Sequence, residues 1–319
     1  QRGCPPRGVR LGSDVAAFSL GRSRSVRCRT MTNVARRIWD VVEPIAANVY
    51  FAPEVHAAYQ EIGFDASIRS SGKVHYPDMV AYFASRGACL GPNVDGHVVA
   101  SAFGVFKRPM VVAAVAEGWR RADQPTVLAA RERGGVASLR RLIGDEPEGL
   151  GWATEALQRM VDAAPGEGRA LFSGLQSLGY PDDPMGAFWR AADLVREHRG
   201  DSHIAAWIGA DLDACEIGVL TDPWRHQPLK SWVRSRGWTD DELDAACDRL
   251  RSRGLLDVDD LTDAGRGLRE GIDDATDRME HRVVSALGSD ARRLFELLDP
   301  WCDLIVADGG YPARVTWPA

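Results

Sequence analysis

The stretch PLKSWVRSRGWTDDELDAACDRLRSRGLLDVDDLTDAGRGL, Pro228 to Leu268, restricts the fold more than any other part of the chain. Thr239 and Glu242 stand at the spacing of a capping box, in which each side chain satisfies a backbone N–H that a helix start leaves open. Just before them, Gly237 supplies the left-handed stop of a short helix lined by Leu229, Trp232 and Val233, and Trp238 is placed to fold back on its last turn. Two helices joined by about three residues have helix-turn-helix spacing. Leu243, Cys247 and Leu250 mark the buried face of the second helix, and Gly254 ends it. Leu255, Leu256, Val258 and Leu261 then alternate with acids as a small hairpin would. Thr262 caps a last helix carrying Leu268, Ile272, Ala275 and Met279. Helix, turn, helix, wing and helix is the order of a winged helix.

The remainder also reads as helix. Apolar periodicity and Pro or Gly punctuation predict helices near Ala35 to Ile45, Pro53 to Gly63, Pro77 to Arg86, Pro109 to Arg121 and Thr126 to Leu142. DASIRSSGKVHYPD reads as a polar loop. Asp183 before Pro184 is an N-cap followed by proline at N1, and the helix it opens is expected to run to Gly200. There Asp201 is placed to cap a new helix striped by Ile204, Trp207, Ile208, Leu212, Cys215 and Val219, making GDSH a helix-to-helix joint. The fold class is therefore mainly α: a helical N-terminal domain over 31–148, a linker with connecting helices over 149–200, a winged-helix domain over 201–285 and a C-terminal helix and tail over 286–319. GDEPEGLG, Gly144 to Gly151, is the boundary linker.

Residues 1–30 stand apart, with seven Arg and a single acid, Asp14, ahead of Met31. They read as a non-native or disordered leader, in the manner of translated upstream sequence. The longest apolar run nearby, MVVAAVA at Met110 to Ala116, is far short of the ~20 residues that span a bilayer. Cys89, Cys215, Cys247 and Cys302 are scattered, with no CxxC pair, which suits a reducing cytoplasm.

SRGWTDDELDAACDRLRSRGLLDVDDLTDAGRGLREGIDDATDRM resembles the C-terminal part of an actinobacterial helix-turn-helix family related in fold to MarR-type winged-helix regulators. EHRGDSHIAAWIGADLDACE, PDDPMGAFWRAADLVREHRG and ARRIWDVVEPIAANVYFAPEVHAAYQEIGF look like further segments of that family, so the likeness covers most of the chain from Met31. It implies a regulatory or binding protein and brings no catalytic residues with it.

Charge argues against DNA as the partner of the winged helix. The net charge is -6, and from Leu229 to Glu280 nine Lys/Arg face fourteen Asp/Glu, a net of -5. Phosphate neutralisation supplies most non-specific affinity, yet the candidate reading helix opens with Asp240, Asp241, Glu242 and Asp244, at the end that meets bases. Arg249, Arg251 and Arg253 are the residues that would contact a backbone, and they lie at its other end.

EHRGDSH, Glu197 to His203, is the densest polar cluster. Glu197, His198, Asp201 and His203 are ligand types for zinc or iron, but neighbours on a helix point about 100° apart, and no HExxH or HxH motif accompanies them. As a joint, the stretch needs His198 at a helix C-terminus and Asp201 at an N-cap, roles that require no ligand. A third reading makes Glu197, His198, Arg199, Asp201 and His203 the polar wall of a ligand site. Its apolar wall would come from Tyr82, Phe83, Phe103, Phe106, Trp119 and Trp189. YFAPEVH offers Glu54 and His56 on different sides of a helix start, and APGEGRA is a turn, not a phosphate cradle.

The expectation is thus a cytoplasmic winged-helix regulatory or binding protein holding a small apolar ligand between its domains, with a second copy or another protein as further partner. DNA is disfavoured and a membrane excluded; no cofactor or metal is specified. The rival is an enzyme with a polar or metal site at Glu197 to His203.

Overall fold

Helix starts in this chain are set by side chains that accept from the first free N–H groups. Asn33, Asp78, Asp95, Asp123 and Asp183 do so for five helices, and Asp213 and Thr239 build full capping boxes with Glu216 and Glu242. The computed structural model describes residues 33–312. The leader expected over residues 1–30, with Cys4 and Cys28, lies outside the described residues, as does the end of the tail from 313.

In order, the first half comprises α1 (Val34–Ala47), α2 (Pro53–Glu61), β1 (Arg69–Ser71), β2 (Val74–Tyr76), α3 (Met79–Leu90), α4 (Gly96–Phe103), α5 (Arg108–Arg121) and α6 (Gln124–Ile143). The second half comprises α7 (Leu150–Asp162), α8 (Ala170–Gln176), α9 (Pro184–Gly209), α10 (Ala214–Trp224), α11 (Asp240–Ser252), α12 (Asp263–Met279), α13 (His281–Leu287) and α14 (Ala291–Ala307). The chain is mainly helical. Where DASIRSSGKVHYPD was expected to be loop, β1 and β2 pair antiparallel, Ser71 opposite Val74, about a turn at Gly72 whose φ of 59° suits glycine.

Three apolar clusters form the interior. One joins α1, α2, α6, α7 and the first half of α9, and it also takes in Val283, Leu294, Leu298 and Ile305 from α13 and α14. A second gathers α10, α11 and α12 around Trp207, Val219, Leu220, Leu243, Leu250 and Ile272. The third is aromatic: Phe83, Phe103 and Phe106 meet edge to face at 4.9–6.3 Å, with Tyr82 against them. These rings, read from sequence as the wall of a pocket, are packed on one another as core.

The joint at Gly200 is the main correction. α9 runs unbroken for 26 residues through EHRGDSH, and the chain turns only after Gly209. Asp201 caps no helix of its own, and the break before α10 comes at Asp211, with a φ of 56°, followed by the Asp213 cap. The proposed stripe therefore belongs to two helices, and Ile208 is left 58% exposed.

Two features after it are also smaller than expected. The helix preceding Gly237 is a single 3-10 turn over Val233–Arg236. Where a wing was expected there is one antiparallel bridge, Leu256 to Leu261, with Val258 70% exposed between them. Gly237 has the left-handed φ of 86° that its stop role requires, and Trp238 Nε1 donates to Val105 O at 3.1 Å.

α2 and α6 cross at Gly134, where an added Cβ would lie 2.5 Å from Val55 Cα. Gly134→Ala should lower the unfolding free energy by about 1–3 kcal/mol through overpacking. In α12, Gly267 has nothing within 4 Å of such an atom, and Gly267→Ala should be neutral or stabilising by up to ~1 kcal/mol. Urea unfolding of both variants checks the pair.

Candidate functional site

The polar middle of α9 lies between two apolar stretches of the same helix, Met185 to Val195 in one core and Ala206 with Trp207 in the other. Buried polar groups must find partners, and here successive residues reach different elements. Glu197 is clamped by Arg86 of α3, with Arg86 Nη2 2.9 Å from Oε2, and by Arg196 Nη1 at 2.5 Å from Oε1. Arg86 also donates to the Tyr50 hydroxyl. Burial alone would raise the Glu197 pKa, but Arg86 and Arg196 hold it down to about 2. Arg196 is further tied to Glu43 at 2.7 Å, and one turn N-terminal Asp193 faces Arg131 at 3.0 Å.

On another side of the helix, His198 Nδ1 sits 2.8 Å from Glu280 Oε2, and Ser202 Oγ lies 2.8 Å from Glu280 Oε1. The carboxylate accepting at Nδ1 assigns the proton there. Nε2 is left buried without a hydrogen-bond partner, and the ring meets Phe172 edge to face at 5.1 Å. Arg169 Nε donates to Ser202 Oγ at 3.1 Å. Arg199 pairs with Asp277 at 2.7 Å, and Asp277 also accepts from Asn33 and Arg36. His203 Nδ1 is 3.2 Å from Thr276 Oγ1 and 3.8 Å from Asp273, whose other oxygen holds Arg269 at 2.7 Å. Burial pushes the His203 pKa well down, helped by Arg269, Arg199 and Arg225.

Asp201 does cap a helix, but one distant in sequence. Its Oδ2 accepts from Phe172 N at 3.0 Å, at the start of α8, where the N-cap residue Arg169 provides no side-chain bond. Burial pushes its pKa up to about 7, against the pull of the Phe172 N–H. Glu197, His198, Arg199, Asp201 and His203 are therefore brought together along one helix but face outward to separate partners. Among the described residues, no group of three or more His, Cys, Asp or Glu converges as a metal site would.

The exposed face of α11 has its own geometry. Asp240, Asp241, Asp244 and Asp248 are exposed along α11. The three arginines that might have met a phosphate backbone are engaged elsewhere. Arg249 holds Asp213 at 2.5 Å and Glu216 at 2.8 Å; Arg251 holds Asp248 at 3.1 Å and donates to Val258 O at 2.7 Å. Arg253 donates to Asp211 O at 2.8 Å. Sequence reasoning placed these arginines at the far end of the helix and missed the anchors of Arg249, Asp213 and Glu216, which the capping box of α10 could have announced. His56, the other histidine singled out, is buried in α2, and Glu54 beside it pairs with Arg141.

Among the described residues, no helix is long and apolar enough to cross a membrane. The model of a helix-turn-helix family matches residues 35–312. No curated protein and no solved structure matches the chain.

The native Asp201 binds a proton up to about pH 7, whereas an unfolded aspartate releases it near pH 3.9. Stability from this group is therefore lost as pH rises from about 4 to 7, on the order of a few kcal/mol. Asp201→Asn keeps an acceptor for Phe172 N–H and removes the titration, so the fall in unfolding free energy between pH 5 and pH 8 should shrink. An unchanged pH slope in denaturant titrations would refute the assignment. Glu197→Gln should cost about 3–5 kcal/mol by leaving Arg86 buried without its carboxylate, read in the same titrations.

Proposed function

The chain belongs to this helix-turn-helix family, and from that membership we propose a regulatory or binding protein whose helix-turn-helix lobe meets protein surfaces in preference to DNA. The order α10, 3-10 turn, α11, Leu256–Leu261 bridge and α12 supports reading that lobe as a winged helix with a reduced wing. One observation carries the preference for protein: Arg249, Arg251 and Arg253 of the reading helix and its end are already bonded within the chain, while the aspartates on its outer face are exposed. Freeing Arg249 for a phosphate would break its contacts to Asp213 and Glu216, next to the start of α10. The exposed aspartates would repel the same phosphate, and long side chains already held in ion pairs gain little by exchanging one oxygen for another.

A basic protein surface fits this face better, since opposite charge steers encounter and fixes register. The buried thiols of Cys89, Cys215 and Cys247 suit a reducing cytoplasm as its setting. Fluorescence anisotropy with random-sequence duplex at low salt should show no binding below about tens of micromolar. Tight binding that weakens steeply with salt would overturn the reading in favour of direct DNA contact.

A further inference from the structure

Arg236 closes the 3-10 turn ahead of α11, and that turn is fastened to the segment after α4. Lys107 N donates to Arg236 O at 2.9 Å, and Trp238 Nε1 donates to Val105 O. The guanidinium lies over two rings, 3.9 Å from the Trp232 centroid and 4.6 Å from that of Phe106. Its Nε is shielded from water and bonded to nothing. The buried arginines are matched by acid, Arg86 by Glu197, Arg131 by Asp193, Arg199 by Asp277 and Arg269 by Asp273, whereas Arg236 is only partly buried. Arg236 has aromatic faces where they have carboxylates.

An arginine cannot relieve its burial by losing a proton near neutral pH. Burial pushes the Arg236 pKa down to about 10; Tyr82 and Tyr311 oppose this, and the nearby Arg225 and Arg196 add to it. The group therefore stays cationic, close to other cations, in a place the chain does not neutralise. A guanidinium stacked by its faces keeps its N–H edge for ligands, and that edge matches the two oxygens of a carboxylate or phosphate.

We propose that Arg236 anchors a binding site for a small oxyanion-bearing molecule, gripping its carboxylate or phosphate group where the turn before α11 meets the segment after α4. The site reaches both the aromatic core and the helix-turn-helix lobe, so its occupant would touch both. This inference goes beyond the protein-contact reading and stands independently of it.

Thermal unfolding of the full chain in sodium chloride, sodium acetate and sodium phosphate, at one pH and ionic strength, tests the site. A saturable rise of the midpoint in acetate or phosphate over chloride is expected, and the stronger of the two identifies the headgroup. Arg236→Met should abolish the saturable rise. It should also unfold at a higher midpoint than the wild type in chloride, because the unmatched cation is gone. Arg236→Lys, which keeps charge without the planar fork, should raise the half-saturating concentration roughly tenfold or more. The absence of a saturable oxyanion effect in the wild type overturns the proposal, and so does an effect retained undiminished in Arg236→Met. If that variant does not fold, an undiminished effect in Arg236→Lys is equally decisive.

Discussion

Glu197 meets Arg86 and Arg196 inside the protein, and the placement of α9 depends on that meeting. A carboxylate this deep is stable only as an ion held by cations and hydrogen bonds. The cations come from α3 and from α9 itself, with Tyr50 bridging Arg86 to Arg131. Glu43 of α1 closes the chain of charges through Arg196. Apolar contacts bring α1, α3, α6 and α9 together, but they are tolerant of small rotations. The ion cluster is not, because a turn of α9 about its axis would leave several buried charges unmatched at once.

The same helix serves two cores without being apolar along its length. Its first half and its last turns supply the aliphatic and aromatic side chains, and the polar stretch between them is sealed by α8, α12 and the Glu280 carboxylate. Glu280 accepts from two α9 residues one turn apart, which sets how α12 lies along α9. The lobe of α10, α11 and α12 is thereby placed by polar contacts as much as by packing. In that lobe the aspartates of α11 are exposed, and Arg249 ties α11 to the Asp213 and Glu216 cap of α10.

Helices announced by local signals were legible in the sequence. Asp183 with Pro184, Thr239 with Glu242, and Thr262 all act within one turn of themselves, so their residue types and spacing suffice. The continuity of α9 was not legible, because Gly200 followed by Asp201 carries the local signature of a stop and a new start. What overrides it is distant: the partners of Asp201, Arg199, His198 and Glu197 lie 29, 78, 82 and 111 residues away. A residue that satisfies its polar atoms across such separations no longer needs to bend its own backbone. The candidate site followed the same pattern. Density of charge in EHRGDSH was visible, but whether the five side chains converge or diverge depends on a helix whose extent only tertiary contacts decide. The 3-10 turn at Val233–Arg236 was hidden for a related reason, since Asp222 accepts from the backbone N–H groups of Trp232 and Val233 and tightens the turn from outside.

An unbroken α9 has a mechanical consequence. At 1.5 Å per residue it is a rod roughly 39 Å long, with the helix-turn-helix lobe gathered at one end and the larger core at the other. Bending it at Gly200 would require Glu197, Arg199 and Asp201 to release three different elements together. The protein has no elbow there. A shift or rotation of either end would therefore have to carry the whole rod, and with it the contacts made along its middle.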